Sequence, residues 1–195
     1  MMRKLAISTL GLLLLAACSD PLDTARYTLD PPAPTERLAN RLGRAELRDV
    51  SLPDYASGQE ITFQTADGAL RSTPDNIWAD DPARAMTLVL ARQITQLSGA
   101  TVLAEPWPLA AEPQRRVEVR VEKFVAAADG MVHLSGVYIV SPASFSANGG
   151  DVVRPFSIAV PVLGADGQPT QDPAQIARAQ SQAVADLARA IASLS

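Results

Sequence analysis

Between Arg115 and Phe124 the chain reads RRVEVRVEKF, an alternation of charged and apolar side chains. Successive side chains of a strand point to opposite faces, so Val117, Val119 and Val121 share one face and Glu118, Arg120 and Glu122 the other. The pattern predicts a sheet with one dry and one wet side. Asp129-Gly130 is a turn pair, and MVHLSGVYIV returns with Val132, Leu134, Tyr138 and Val140 on one face. VVRPFSIAVPV is a third strand, and Pro155, which has no N–H for a ladder, places it at an edge or a bulge.

A different period appears in DDPARAMTLVLARQITQLSGA. Met86, Val89, Leu90, Ile94 and Leu97 recur at three- and four-residue spacing, which predicts a helix with one apolar stripe. Asp81 caps it, Pro82 suits its first position, and Gly99 is a left-handed stop. A second helix is predicted from about Pro173 to Ser193, with Ile176, Ala183, Val184, Leu187, Ile191 and Leu194 as its stripe. Asp172 caps it, and Gln175 is placed to complete a capping box.

Shorter elements fill the rest. RYTLD (Arg26 to Asp30) alternates as a first strand. In AELRDVSLPDY, Leu47 and Val50 are core positions, and Leu52-Pro53 ends a strand. EITFQTADGALRS is a hairpin turning at Asp67-Gly68, and TVLAEPW is a short strand. The fold class that follows is α/β (α+β): a mixed, largely antiparallel central sheet with two main helices packed on it, as a single domain over residues 43–195.

The N-terminus is built differently. Met1-Met2-Arg3-Lys4 is basic, and Leu5 to Ala17 is apolar but shorter than the ~20 residues a membrane-crossing helix needs. Basic start, apolar run and small residues describe a signal peptide over residues 1–17. With Leu15 at the third-last position, an ordinary signal peptidase is poorly served. Leu15-Ala16-Ala17-Cys18 instead resembles the bacterial lipobox, in which cleavage falls between Ala17 and Cys18 and the cysteine is acylated. That accounts for a chain with one cysteine, which has no disulfide partner and needs none. Ser19, rather than Asp, after the cysteine points to the outer membrane over the inner, with the domain facing the periplasm. Residues 18–42 read as a lipidated N-terminus and tether, stiffened by Pro31, Pro32 and Pro34.

Removing Arg3 and Lys4 with the leader takes the formal charge from −4 to −6. An acidic chain without a Lys/Arg cluster has no general attraction for nucleic acid. One His and one Cys exclude the usual zinc and iron–sulfur ligand sets within a single chain, and no motif implies a cofactor. His133 and Ser135 lie two apart on one strand, but nothing like Gly-x-Ser-x-Gly accompanies them, so a sheet-face histidine is the better reading than a hydrolase site. SANGGD (Ser146 to Asp151) lacks the Lys-Ser/Thr of a P-loop and reads as a hairpin end. No catalytic residue is assigned, and the chain is not read as an enzyme. Tyr55, Trp78 and Trp107 each have two readings: packing at an element's edge, or partner docking, since tryptophan concentrates at binding hot spots.

The lipobox at Cys18, RYTLDPP, LRDVSLPDY, NIWADDPARAMTLVLARQI, EPWPL, the RRVEVRVEKF…GMVHLSGVYIV pair and the C-terminal AQSQAVADLARAIASL occur in one order. Together they resemble the ABC-type transport auxiliary lipoprotein family, the PqiC-like proteins. Where that family usually has a basic residue before the tryptophan, this chain has Ile77. The resemblance implies a non-enzymatic, periplasm-facing lipoprotein. Such a protein serves with an MCE-domain protein in an ABC-type system that moves phospholipid or other hydrophobic molecules between membranes and supports envelope integrity. It also implies a homo-oligomeric ring. The alternative is a stand-alone lipid- or substrate-binding lipoprotein, which requires a large apolar cavity between sheet and helices.

Overall fold

The computed structural model describes residues 23–144 and 149–194. The leader, the Ala17–Cys18 junction and part of the SANGGD turn lie outside the described residues.

The centre of the fold is the predicted alternating strand, β7 in chain order (Arg115–Ala126). Along one edge it pairs antiparallel with β8 (Met131–Pro142), and β8 pairs antiparallel with β9 (Val152–Pro161), the edge strand that Pro155 requires. The other edge of β7 is shared. β2 (Arg44–Leu47) runs parallel to its start, and β3 (Phe63–Gln64) meets its end at Ala126. β6 (Thr101–Ala104) adds in parallel outside β2, and β4 (Leu70–Arg71) closes the hairpin with β3. The sheet is therefore mixed, with its long strands antiparallel. The RYTLD strand, β1 (Ala25–Tyr27), pairs in parallel with β5 (Asn76–Trp78) as a separate two-stranded ribbon.

The shared edge of β7 is continuous although no single strand covers it. β2 stops at Leu47, but the chain stays alongside as far as Ser51, whose N–H donates to Val119 O (3.1 Å) and whose O accepts from Val121 N–H (2.9 Å). Leu52-Pro53 ends this run, and the short helix α1 (Asp54–Ser57) follows. Between Ser51 and β3, the Phe124 N–H would face a gap. The Tyr55 hydroxyl fills it, accepting that N–H at 3.1 Å.

The alternation also breaks once. A bulge lies between Val121 and Lys123, opposite Gly136. The extra residue inverts the parity of the strand, so Phe124 joins the dry face at 3% exposure, where strict alternation would have left it with the glutamates. Gly136 takes a φ of +158°, and a Cβ there would stand 2.1 Å from the Arg120 carbonyl oxygen. Only glycine lets the two backbones approach this closely.

Both helices pack on the dry face. In α2 (Pro82–Ser98), the Asp81 carboxylate accepts the Arg84 N–H at 2.8 Å, and Gly99 ends the helix at φ +69°. In α3 (Pro173–Ser193), the Asp172 carboxylate accepts the Gln175 N–H at 3.0 Å. The capping box is not completed. The Asp172 N–H donates to Thr170 Oγ1, and the Gln175 side chain accepts from Arg178 instead. Met86, Leu90 and Ile94 of α2 and Ile176, Leu187 and Ile191 of α3 are fully buried; α2 packs against β6 and α3, and α3 against β8 and β9. Burial raises the Tyr138 phenol above its ordinary pKa.

Residues 28–42, within the segment expected as a tether, form a strap across these helices. Leu29 and Leu42 enter the core at its two ends. Between them, the Asp30 N–H donates to Ser181 Oγ (3.1 Å), the Leu38 N–H to Leu97 O (2.8 Å), and Gln93 Nε2 to Pro32 O (3.0 Å). Gln93 is 1% exposed, so the strap carbonyl satisfies a buried amide that the helix alone would leave stranded. Arg92 pairs with Asp30 at 3.0 Å, and Arg189 pairs with Glu36.

Gly136→Ala is expected to lower stability by about 3 kcal/mol or more, because backbone rather than a flexible side chain must move. Tyr55→Phe keeps the ring but orphans the Phe124 N–H, and is expected to cost about 1 kcal/mol. Denaturant midpoints of the two variants against the parent check both; an unchanged midpoint for Gly136→Ala would contradict the bulge geometry.

Candidate functional site

His133 lies mid-strand on β8, on the sheet face away from the helices, opposite Val125 of β7 and Ala159 of β9. Its Nε2 meets Asp129 Oδ2 at 2.7 Å across the β7–β8 turn, and this is its only polar side-chain contact among the described residues. The hydrogen bond to His133, followed by the Met131 N–H, holds the Asp129 carboxyl below the usual carboxylate range. Ser135, the next residue on that face, makes no hydrogen bond to His133. The pair ties down a turn and lacks the nucleophile–base–orienter chain of a hydrolase. No group of three or more His, Cys, Asp or Glu among the described residues is arranged to hold a metal ion.

The three aromatics separate. Trp78 is 5% exposed and belongs to the core. Tyr55 is half-buried, its hydroxyl engaged with the β7 backbone. Trp107 is half-buried in the loop after β6: its indole N–H donates to Ala111 O (2.9 Å), and its backbone N–H donates to Glu46 Oε1 (3.1 Å). The other Glu46 oxygen accepts from Arg116 (3.2 Å), so one carboxylate fastens the loop to the main sheet. The described residues do not bring the three together on one surface.

Among the open surfaces of the described residues, two combine apolar and charged side chains. The first is the sheet face opposite the helices. Glu118 and Arg120 pair there at 2.6 Å, as a solvated row would. Past His133 and Ser135 the adjoining strands turn apolar: Val137 and Ile139 of β8 are half-buried, beside the exposed Pro155 and Val153 of β9. Val153 is 53% exposed, so an apolar strip runs along a face that no helix covers.

The second surface is the N-terminal corner. Tyr27, Leu29, Trp78, Pro82, Leu88 and Val89 line an apolar slot of about 170 Å³. On the other side of β1 a groove of about 590 Å³ runs to the first turns of α3, with Arg26, Asp30 and Arg178 on its walls. Of the docking candidates read from the sequence, Trp78 lies at this corner, lining the slot from within the core. A local signal not used there is Leu88, a leucine outside the Met86/Val89/Leu90 stripe, which is 44% exposed. No helix among the described residues is long and apolar enough to cross a membrane.

Known proteins are similar to this chain in sequence and in fold. The chain is 31% identical to the intermembrane transport lipoprotein PqiC of Escherichia coli strain K12, over 84% of this chain and 82% of that one. PqiC of Shigella flexneri matches to the same extent. A solved protein from Xanthomonas campestris superposes with a TM-score of 0.61 at 16% identity, covering 83% of this chain and 92% of that one. A second crystal structure gives 0.58 at 22% identity, covering 80% and 97%. These two likenesses bear on the fold alone. Residues 27–192 match the family model of the ABC-type transport auxiliary lipoprotein component, from the first ribbon strand to the end of the last helix, and the chain belongs to that family.

Proposed function

We propose that this chain is a periplasm-facing lipoprotein, acylated on Cys18 and held at the outer membrane. There it serves as the accessory subunit of an MCE/ABC-type system moving phospholipid or other hydrophobic molecules between membranes. The observation that carries this reading is the family match over residues 27–192, joined to a lone cysteine at the end of an apolar run. Supporting it, a relative with 31% identity is an intermembrane transport lipoprotein, and the polar residues form no catalytic constellation among those described. The apolar strip of Val137, Ile139 and Val153 suits a protein partner, and we assign the MCE-domain contact to it. A homo-oligomeric ring is the assembly proposed with this reading.

The stand-alone carrier has no comparable support. A carrier needs an interior cavity of some hundreds of Å³. Here the space between sheet and helices is filled by Leu134, Tyr138, Leu187 and Ile191, each at most 1% exposed, and the apolar slot outside it measures about 170 Å³.

Cys18→Ser is expected to move the protein out of the membrane fraction of lysed cells; unaltered sedimentation with membranes would refute the anchor. Affinity purification of the detergent-solubilised wild type is expected to recover an MCE-domain protein, and Ile139→Lys is expected to cut that recovery at least tenfold. Recovery of no such partner across several mild detergents would overturn the accessory role.

A further inference from the structure

At the N-terminal corner two openings of contrasting chemistry lie side by side. Tyr27 and Thr28 border both the apolar slot and the groove, so the two are one strand apart. The slot has Leu88 at its rim, and its acidic residue, Asp80, is paired with Arg84. The groove carries Arg26 and Arg178, both exposed. Neither has an acidic partner among the described residues; Arg178 donates only to the neutral Gln175 Oε1, at 3.2 Å. The carboxylate in the groove, Asp30, is already matched by Arg92 at 3.0 Å. The groove therefore presents two guanidinium charges without a counter-charge, next to an apolar recess. Guanidinium is the side-chain group best shaped to grip a phosphate, by its planar fork of donors. A slot of about 170 Å³ admits the end of a hydrocarbon segment, not a whole lipid.

The place of this corner in the chain says what covers it. Cys18 is seven residues before Ala25, where β1 begins. Seven residues span at most about 25 Å. If Cys18 is acylated, β1 and the two openings beside it are the part of the domain held nearest the lipid. We propose that the anchored domain rests on the membrane by this corner. Phospholipid headgroup phosphates bind between Arg26 and Arg178, and Leu88 with its apolar slot dips into the upper part of the acyl layer. The proposal rests on the Cys18 reading given above and adds to it a face: the domain is oriented on the membrane, not merely leashed to it.

Acylation consumes the sulfur of Cys18, so the full acylated chain carrying Leu88→Cys or Val153→Cys has one free thiol for an environment-sensitive fluorophore. Val153 serves as the comparison because it lies on the sheet face away from the helices. Each labelled protein is reconstituted into phosphatidylcholine vesicles, with and without phosphatidylglycerol, that contain lipids brominated close to the headgroup. Quenching is expected at position 88, stronger with phosphatidylglycerol and weaker at high salt, and absent at position 153. Arg26→Gln and Arg178→Gln, at exposed sites that leave the far-UV dichroism unchanged, are each expected to lower the docked-to-undocked ratio about fivefold. Equal quenching at 88 and 153, or quenching at 88 that neither arginine variant weakens, would overturn the proposal and leave the anchor standing. Release of the label by inorganic phosphate, with no gain from phosphatidylglycerol, would overturn it in favour of a free-phosphate site. Labelled protein that fails to stay with the vesicles would instead refute the acyl anchor, and the docking face with it.

Discussion

The structure depends on one strand having both of its edges satisfied. β7 is central, and a backbone N–H or C=O left unpaired there would be costly. One edge is met by β8 along its whole length apart from the bulge at Glu122. The other is met by four pieces in succession: β2, the bridge at Ser51, the Tyr55 hydroxyl and β3. A side chain thus completes a ladder that backbone alone leaves broken, and the LPDY turn has a defined structural task. The bulge opposite Gly136 belongs to the same constraint, since it turns Phe124 into the core where the alternation would have put it outside.

The strap lies between this core and the first ribbon strand, on the side of the chain where the anchor is proposed. Extended backbone crossing a helix pair offers carbonyls and N–H groups, and buried Gln93 and Ser181 take them up. The prolines reduce the conformational freedom of the unfolded chain and keep the segment extended. Leu29 and Leu42 fix its ends. Force or orientation imposed at the N-terminus therefore reaches α2 and α3 through buried contacts, without a flexible hinge between Leu29 and the core.

With the inner face closed by helices, what the protein offers its surroundings is surface. An apolar strip lies on the bare side of the sheet, and a cationic groove beside an apolar slot lies beside the first ribbon strand. His133 is occupied with Asp129 at a turn. Both surfaces suit the anchored, partner-bound role proposed above. The chain belongs to a family of auxiliary transport lipoproteins.

The elements that the sequence disclosed are those governed by near neighbours. The two- and three-to-four-residue periods of β7, β8, α2 and α3, the Asp caps, the Asp-Gly turns and the edge proline all depend on residues within a turn or a pleat of one another. The lipobox-like run before Cys18, on which the proposed anchor rests, is likewise a local arrangement. The parity change at the bulge, the parallel pairing of β2, β3 and β6, and the docking of residues 28–42 were decided by the tertiary structure, because each joins segments tens of residues apart and leaves no periodic mark. The same holds for Arg26 and Arg178, unremarkable in their own segments and lining one groove only once β1 lies beside α3. Trp78 shows the limit most plainly. Its composition allowed either core or docking surface, and only the arrival of its distant neighbours made it core.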